Sequence, residues 1–211
     1  MKFLPVIHYE SRQHPAFLQN IEIVLELNVK DVILCGAFDY YEMLRAAKFA
    51  YNLGMNVGAN FLCQDIIQIA EDEVNYFEYL WYDDSKAGLE ENYCKAVWNR
   101  KPALAPKLFG GVAFKYQRQP LDLKAACEMA VRYMDCVVTS GEGTGIAADV
   151  SKISKMREYI DGKKPLGLAS GVTPDNVKNY DVDYILVNTG ISKTFYDFDK
   201  DKIKKLLDMI A

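Results

Sequence analysis

Eight short, apolar, strand-like runs alternate with longer amphipathic segments, and no other feature of this chain limits its fold so strongly. The runs cover Lys2 to His8, Asp31 to Gly36, Asn56 to Phe61, Tyr76 to Trp81, Leu108 to Lys115, Cys136 to Ser140, Pro165 to Ser170 and Tyr184 to Thr189. Between them, segments such as "PAFLQNIEIVLEL", "YEMLRAAKFAYNLG", "LDLKAACEMAVRYM" and "DVSKISKMREYI" repeat apolar residues at intervals of three and four, the period of a half-buried helix, and "DKDKIKKLLDMI" closes the chain. A strand followed by a helix, eight times over, predicts a closed parallel (β/α)8 barrel. An open doubly wound sheet uses the same alternation, but eight units fit closure better. The chain has 211 residues, half of them hydrophobic, and no Ser/Gly/Pro-rich stretch divides it, so the expectation is one compact barrel domain over residues 1–211.

Charge and cysteine content narrow the function classes. A net charge of −4 with no basic cluster argues against nucleic acid and against an anionic membrane surface, since both require concentrated Lys and Arg. Five cysteines, an odd number without C-x-x-C spacing, and an opening "MKFLPVIHYE" whose apolar run is too short for a signal peptide point to reduced thiols and a cytoplasmic protein. The two histidines, His8 and His14, form no metal-ligand spacing. No cofactor is therefore expected, with carboxylate-bound magnesium left open. Phe49 and Tyr51 on an outer helix suggest a homodimer, by analogy with other small barrels.

In such a barrel the loops after the strands form the rim that carries the chemistry. They nominate His8 and Glu10, Cys35 and Asp39, Asn60 and Asp65, Asp83 and Asp84, Lys115, then Thr139, Ser140 and Glu142, Ser170 and Gly171, and Asn188, Thr189 and Gly190. Three consecutive strand ends are glycine-rich: "TSGEGTG", "SGVTP" and "NTGIS". Glycine lets backbone N–H groups approach a ligand, and a phosphate takes several such donors together with a helix N-terminus. Thr173, Pro174 and Asp175 suit the cap, first position and first turn of a helix after the seventh strand. Alternatively the glycines supply tight turns and T-P-D is only a cap. The coincidence of two glycine loops after strands seven and eight favours the phosphate.

From Val57 onward the motifs "GANFLCQD", "FKY", "VVTSGEGTGIAADVSKISKMRE" and "PLGLASGVTPDNV", with fainter echoes in "VIHYE" and in Phe38–Asp39, resemble the BtpA/SgcQ family of barrel proteins. The same pieces are similar to phosphoribosylanthranilate isomerase, and both look like branches of the ribulose-phosphate-binding barrels. The resemblance implies a phosphorylated sugar or nucleotide-like ligand, its phosphate near Gly143, Thr144, Gly145, Ser170, Gly171, Val172, Thr189 and Gly190. There are departures. The isomerase has a cysteine base at the end of strand one and an aspartate acid at the end of strand six, where this chain has His8 and Thr139. Strand eight ends "VNTGIS" rather than the "GTS" of BtpA-like proteins.

Candidate chemistry rests on a few side chains. Lys115, at the end of "GGVAFK", is placed to neutralise a phosphate, form a Schiff base or act as a base if burial lowers its pKa. His8 titrates near neutrality, and Glu142 interrupts a glycine run where a carboxylate beside a phosphate would be repelled unless it has another task. Asn60 in an apolar strand end must be hydrogen-bonded, to a loop or to a ligand; Asp65, Ser140 and Asn188 are further substrate-contact candidates. Asp39 with Glu42 also reads as a capping box, and Asp83 and Asp84 as an ordinary solvated loop rather than a metal pair. The leading expectation is an enzyme of isomerase or lyase type, with His8, Lys115 and Glu142 as acid/base groups. A phosphoribosylanthranilate isomerase-like enzyme and a non-catalytic BtpA-like assembly factor are the alternatives.

Overall fold

A computed structural model describes residues 1–9, 15–36, 40–62, 65–68, 75–104 and 106–211, with the side chains of 68 and 102–104 outside that description. Glu10, His14, Phe38 and Asp39 fall outside it too. Eight parallel strands close into a barrel in sequence order: β1 (Lys2–His8), β2 (Asp31–Gly36), β3 (Asn56–Phe61), β4 (Tyr79–Tyr82), β5 (Lys107–Gly111), β6 (Cys136–Ser140), β7 (Leu166–Ala169) and β8 (Tyr184–Val187). Closure comes from β1 pairing with β8, Lys2 beside Tyr184 through Pro5 beside Val187. The expected (β/α)8 barrel is the fold.

Helices α1 (Pro15–Glu26), α2 (Tyr40–Asn52), α3 (Glu91–Leu104), α4 (Leu123–Tyr133), α5 (Val150–Ile160) and α6 (Lys200–Ile210) surround the sheet. Asp122, Asp149 and Asp199 cap α4, α5 and α6 by accepting from backbone N–H groups of the first turn. Each helix lays a stripe such as Ile153, Met156 and Ile160 of α5 onto the outer face of the strands. No described helix is long and apolar enough to cross a membrane. The described cysteines, Cys35, Cys94, Cys127 and Cys136, are buried free thiols.

Period-two alternation divides the strand residues between two cores. Val6, Ile33, Trp81, Val138 and Leu186 point into the barrel, while Ile7, Leu34, Leu80, Val137 and Val187 meet the helices. Toward the bottom of the barrel, Ile33 fills the space left by Gly58, where a Cβ would lie 2.2 Å from Ile33 Cδ1 and 3.0 Å from Tyr79 Cβ, and Tyr79 packs beside it. The Tyr79 hydroxyl donates to Asp31 at 2.8 Å and accepts from Lys2 at 2.7 Å.

Several boundaries differ from the sequence expectation, and three of the differences bear on the site. β4 begins at Tyr79 rather than Tyr76. β5 ends at Gly111, so Lys115 stands beyond the strand, in a turn where Ala113 and Tyr116 have positive φ. The chain turns at Gly111 because Asp83 crosses there: a Cβ at 111 would lie 1.9 Å from the Asp83 carbonyl oxygen. The helix expected at Thr173 is reduced to a single 3-10 turn, Val177–Asn179. Here Asn176 folds back, accepting from the Thr173 N–H and donating to the Gly171 carbonyl, both at 2.8 Å. The amide that a helix N-terminus would have offered is thus already bound. β3 and β4 are likewise joined, among the described residues, through a 3-10 turn at Ile66–Gln68.

The glycine loops after β6, β7 and β8 pack on one another. Gly171 has φ +70°, and a Cβ there would sit 2.1 Å from the Ile146 carbonyl oxygen; at Gly190 it would sit 1.8 Å from that of Val172. Gly190→Ala must separate two loop backbones, and we expect it to destabilise the protein by about 2 kcal/mol, read as a lower midpoint in urea denaturation with the slope unchanged.

Candidate active site at the barrel mouth

A cavity of about 450 Å³ opens where the inward positions run out at the C-terminal ends of the strands. The inward alternation carries His8 after Val6, Cys35 after Ile33, Asn60 after Gly58, Asp83 after Trp81 and Asn188 after Leu186, and each of these borders the cavity. Lys115 enters from the turn after β5, held by its own N–H donating to Ser140 Oγ at 2.8 Å. Thr144, Ser170 and Thr189 bring the glycine loops to the same space, so one cavity connects the charged groups with the three loops.

The charged groups are displaced from their ordinary titration. Burial lowers the pKa of Lys115, against the opposing pull of Asp83. Burial also raises that of Asp83, partly offset by Asn60, whose Nδ2 donates to Asp83 Oδ1 at 2.9 Å. Asn60 is therefore the amide that orients this carboxylate. Burial, with Lys115 adding, lowers His8 to about 4, so its imidazole is neutral at pH 7. The Phe195 ring stacks on it with centroids 4.1 Å apart. The cavity is thus bordered by a partly desolvated lysine, a partly desolvated carboxylate and a neutral imidazole, a set able to exchange a proton with a substrate carbon or oxygen.

The glycine loops are tied by side chains. Ser170, held at φ +73°, accepts from the Gly145 N–H at 2.9 Å and donates to the Gly143 carbonyl at 3.1 Å. The Thr144 N–H donates to Tyr116 Oη at 3.0 Å. Val172 is fully buried beneath them.

Other nominated residues lie apart. Glu142 borders a neighbouring cleft with Asp149 and Lys152, and among the described residues Lys115 and Tyr116 alone reach both spaces. Ser140 faces that cleft while holding the Lys115 turn. Asp65 accepts from Tyr93 Oη at 2.8 Å and the Ile67 N–H at 3.1 Å, outside the main cavity. Thr139 is fully buried and donates to the Ala113 carbonyl at 3.4 Å. Among the described residues no group of His, Cys, Asp and Glu is placed to hold a metal. Asp83, read from sequence as part of a solvated loop, is the half-buried carboxylate that borders the cavity. The signal that finds it is its place two residues after inward-facing Trp81.

No protein-family model and no curated protein matches the sequence. The fold does match solved structures along nearly the whole chain. A phosphoribosyl anthranilate isomerase from Thermus thermophilus is 12% identical with TM-score 0.64, covering 100% of this chain and 98% of that one. An orotidine 5′-monophosphate decarboxylase from Methanocaldococcus jannaschii, complexed with the inhibitor BMP, is 16% identical with TM-score 0.70, covering 99% and 97%. A 3-keto-L-gulonate-6-phosphate decarboxylase from Vibrio cholerae is 10% identical with TM-score 0.66, covering 99% and 96%. At these identities the likeness establishes the fold.

The depressed pKa of His8 has a definite sign. An unfolded chain takes up the proton near 6.5, the folded chain only near 4, so stability falls as pH falls through that interval. His8→Gln removes the titrating group. Urea unfolding between pH 7 and 4 should show the native protein losing up to about 3 kcal/mol more than the variant.

Proposed function

We propose that the protein is an enzyme acting by acid/base chemistry, of isomerase or lyase type, on a phosphorylated small molecule. The observation that carries this reading is the single cavity that joins Lys115, Asp83 and His8 to Thr144, Ser170 and Thr189. In the proposed complex the phosphate lies against the three loops, where the Thr144 and Thr189 hydroxyls can donate and Lys115 supplies the cation. The loops after strands seven and eight are the recurrent phosphate position of such barrels. The three structural neighbours named above carry phosphorylated compounds in their names, which supports the same class of ligand.

Lys115 and Asp83 are the proposed proton-transfer pair, with Asn60 as the positioning residue for Asp83. Their opposed shifts bring acid and base closer in proton affinity than in water, which lowers the cost of passing a proton between substrate and protein. Neutral His8 is a hydrogen-bond partner or proton acceptor at pH 7. Glu142 stands in the adjoining cleft and takes no part in this scheme. The isomerase-like alternative is less favoured, because Thr139, at the position of the expected acid, lies away from the cavity. The BtpA-like alternative rests on the quoted motifs alone, and an assembly factor has no need of a desolvated lysine beside a carboxylate.

Mass spectrometry of compounds released from the purified protein on denaturation should detect a phosphate ester. Failure of inorganic phosphate and of every phosphate ester tested to bind would end this reading. With the compound in hand, Asp83→Asn should lower turnover by about 10² to 10⁴-fold, while the affinity for inorganic phosphate changes only a few-fold.

A further inference from the structure

Lys152 stands where helix physics least favours a lysine. It lies in the first turn of α5, at the end of the helix dipole that repels a cation, and it is half-buried, which lowers its pKa. What its ammonium meets there is backbone. It donates to the Ala113 carbonyl at 2.6 Å and to the Ser140 carbonyl at 3.0 Å, joining the turn after β5 to the end of β6. Two charge-assisted bonds to two separate segments offset a placement that the helix itself opposes.

The turn so held is strained, and it carries Lys115. Ala113 has φ +48° and Tyr116 +62°, left-handed backbone that residues with a Cβ keep only where their surroundings enforce it. Between them Phe114 is sunk to 1% exposure. The Ala113 carbonyl also accepts from Thr139 at 3.4 Å, and the Lys115 N–H donates to Ser140 Oγ at 2.8 Å. Ser140 is thus the shared post: its carbonyl takes the Lys152 ammonium and its hydroxyl takes the Lys115 amide. Lys115 borders both the cavity and the adjoining cleft, so the shape of this turn decides where its ammonium stands and how far it is desolvated. A turn released from Lys152 is free to relax its left-handed residues and carry Lys115 toward water.

We infer that Lys152 is a positioning residue for Lys115: acting through the Ala113–Tyr116 turn and together with Ser140, it keeps the Lys115 ammonium at the cavity rather than in open water. This rests on the proposed chemical role of Lys115, and the test separates the two because it needs no substrate. Short pulses of acetic anhydride on the folded full chain across a pH series, read at Lys115 by mass spectrometry, give the fraction of its high-pH labelling rate reached at each pH. Burial makes Lys115 lose its proton below the ordinary lysine range, so the native protein keeps a raised fraction at pH 8. Lys152→Met should cut that fraction at least about threefold, equivalent to a rise of about half a pH unit in the titration, while exposed Lys204 is unchanged. Should Lys152→Met fail to fold in a thermal melt, Ser140→Ala, which removes the acceptor of the Lys115 N–H, carries the same expectation. An unchanged Lys115 profile in a folded variant overturns the positioning role and leaves the proton-transfer reading of Lys115 standing. A native Lys115 that titrates no lower than Lys204 overturns both.

Discussion

Pairing between the first strand and the last holds this molecule in its working form. Lys2 to Pro5 of β1 lie beside Tyr184 to Val187 of β8, and with that seam closed no strand edge is left open and every inward side chain shares one interior. Asn188 extends the seam past the strand end, its side-chain amide bonding the Val6 carbonyl where β8 has already turned away. The residue that finishes the closure also borders the cavity, so the integrity of the barrel and the shape of its mouth depend on the same contact.

The glycine loops are held by a second constraint, the close approach of backbones. At Gly171 and Gly190 the neighbouring carbonyls leave no room for a Cβ. Their glycines are therefore explained by packing before any ligand is considered. Packing is compatible with the proposed phosphate site: loops pressed together this closely, and tied through Ser170 to Gly143 and Gly145, present Thr144, Ser170 and Thr189 along one wall of the cavity. Donors held rigid before a ligand arrives lose little entropy when it binds.

Much of the site could be found by counting in twos along the strands. His8, Asn60 and Asn188 follow inward residues at that interval, and all were legible as polar side chains where apolar runs end. Asp83 follows Trp81 by the same count but sits in a run of polar residues, "YDDSK", whose local pattern is that of a solvated loop. Only the folded barrel shows it half-buried, with desolvation raising its pKa. Lys115 is near its expected place for a different reason from the one the pattern suggested: it stands in a turn after Gly111, fastened by Ser140, and not on the strand. Glu142 lies one loop away from His8 because the cavity and the adjoining cleft are separated at Tyr116 and Lys115, a partition with no local signature. The helix expected at Thr173 failed through competition, since the Asn176 side chain satisfies the very backbone groups that a helix start would have used.

By itself the sequence determined the strand and helix periods, hence the eightfold alternation, the closed barrel and the rim on which polar residues gather. These follow from local hydrophobic pattern, which the chain carries wherever it goes. The tertiary structure alone decided which rim residues share a cavity, which glycines are demanded by neighbouring backbone, and which side chains bond the turn that carries Lys115. Those outcomes depend on distances between residues far apart in sequence, and burial, which moves the titration of His8, Asp83 and Lys115, exists only after the barrel has closed around them.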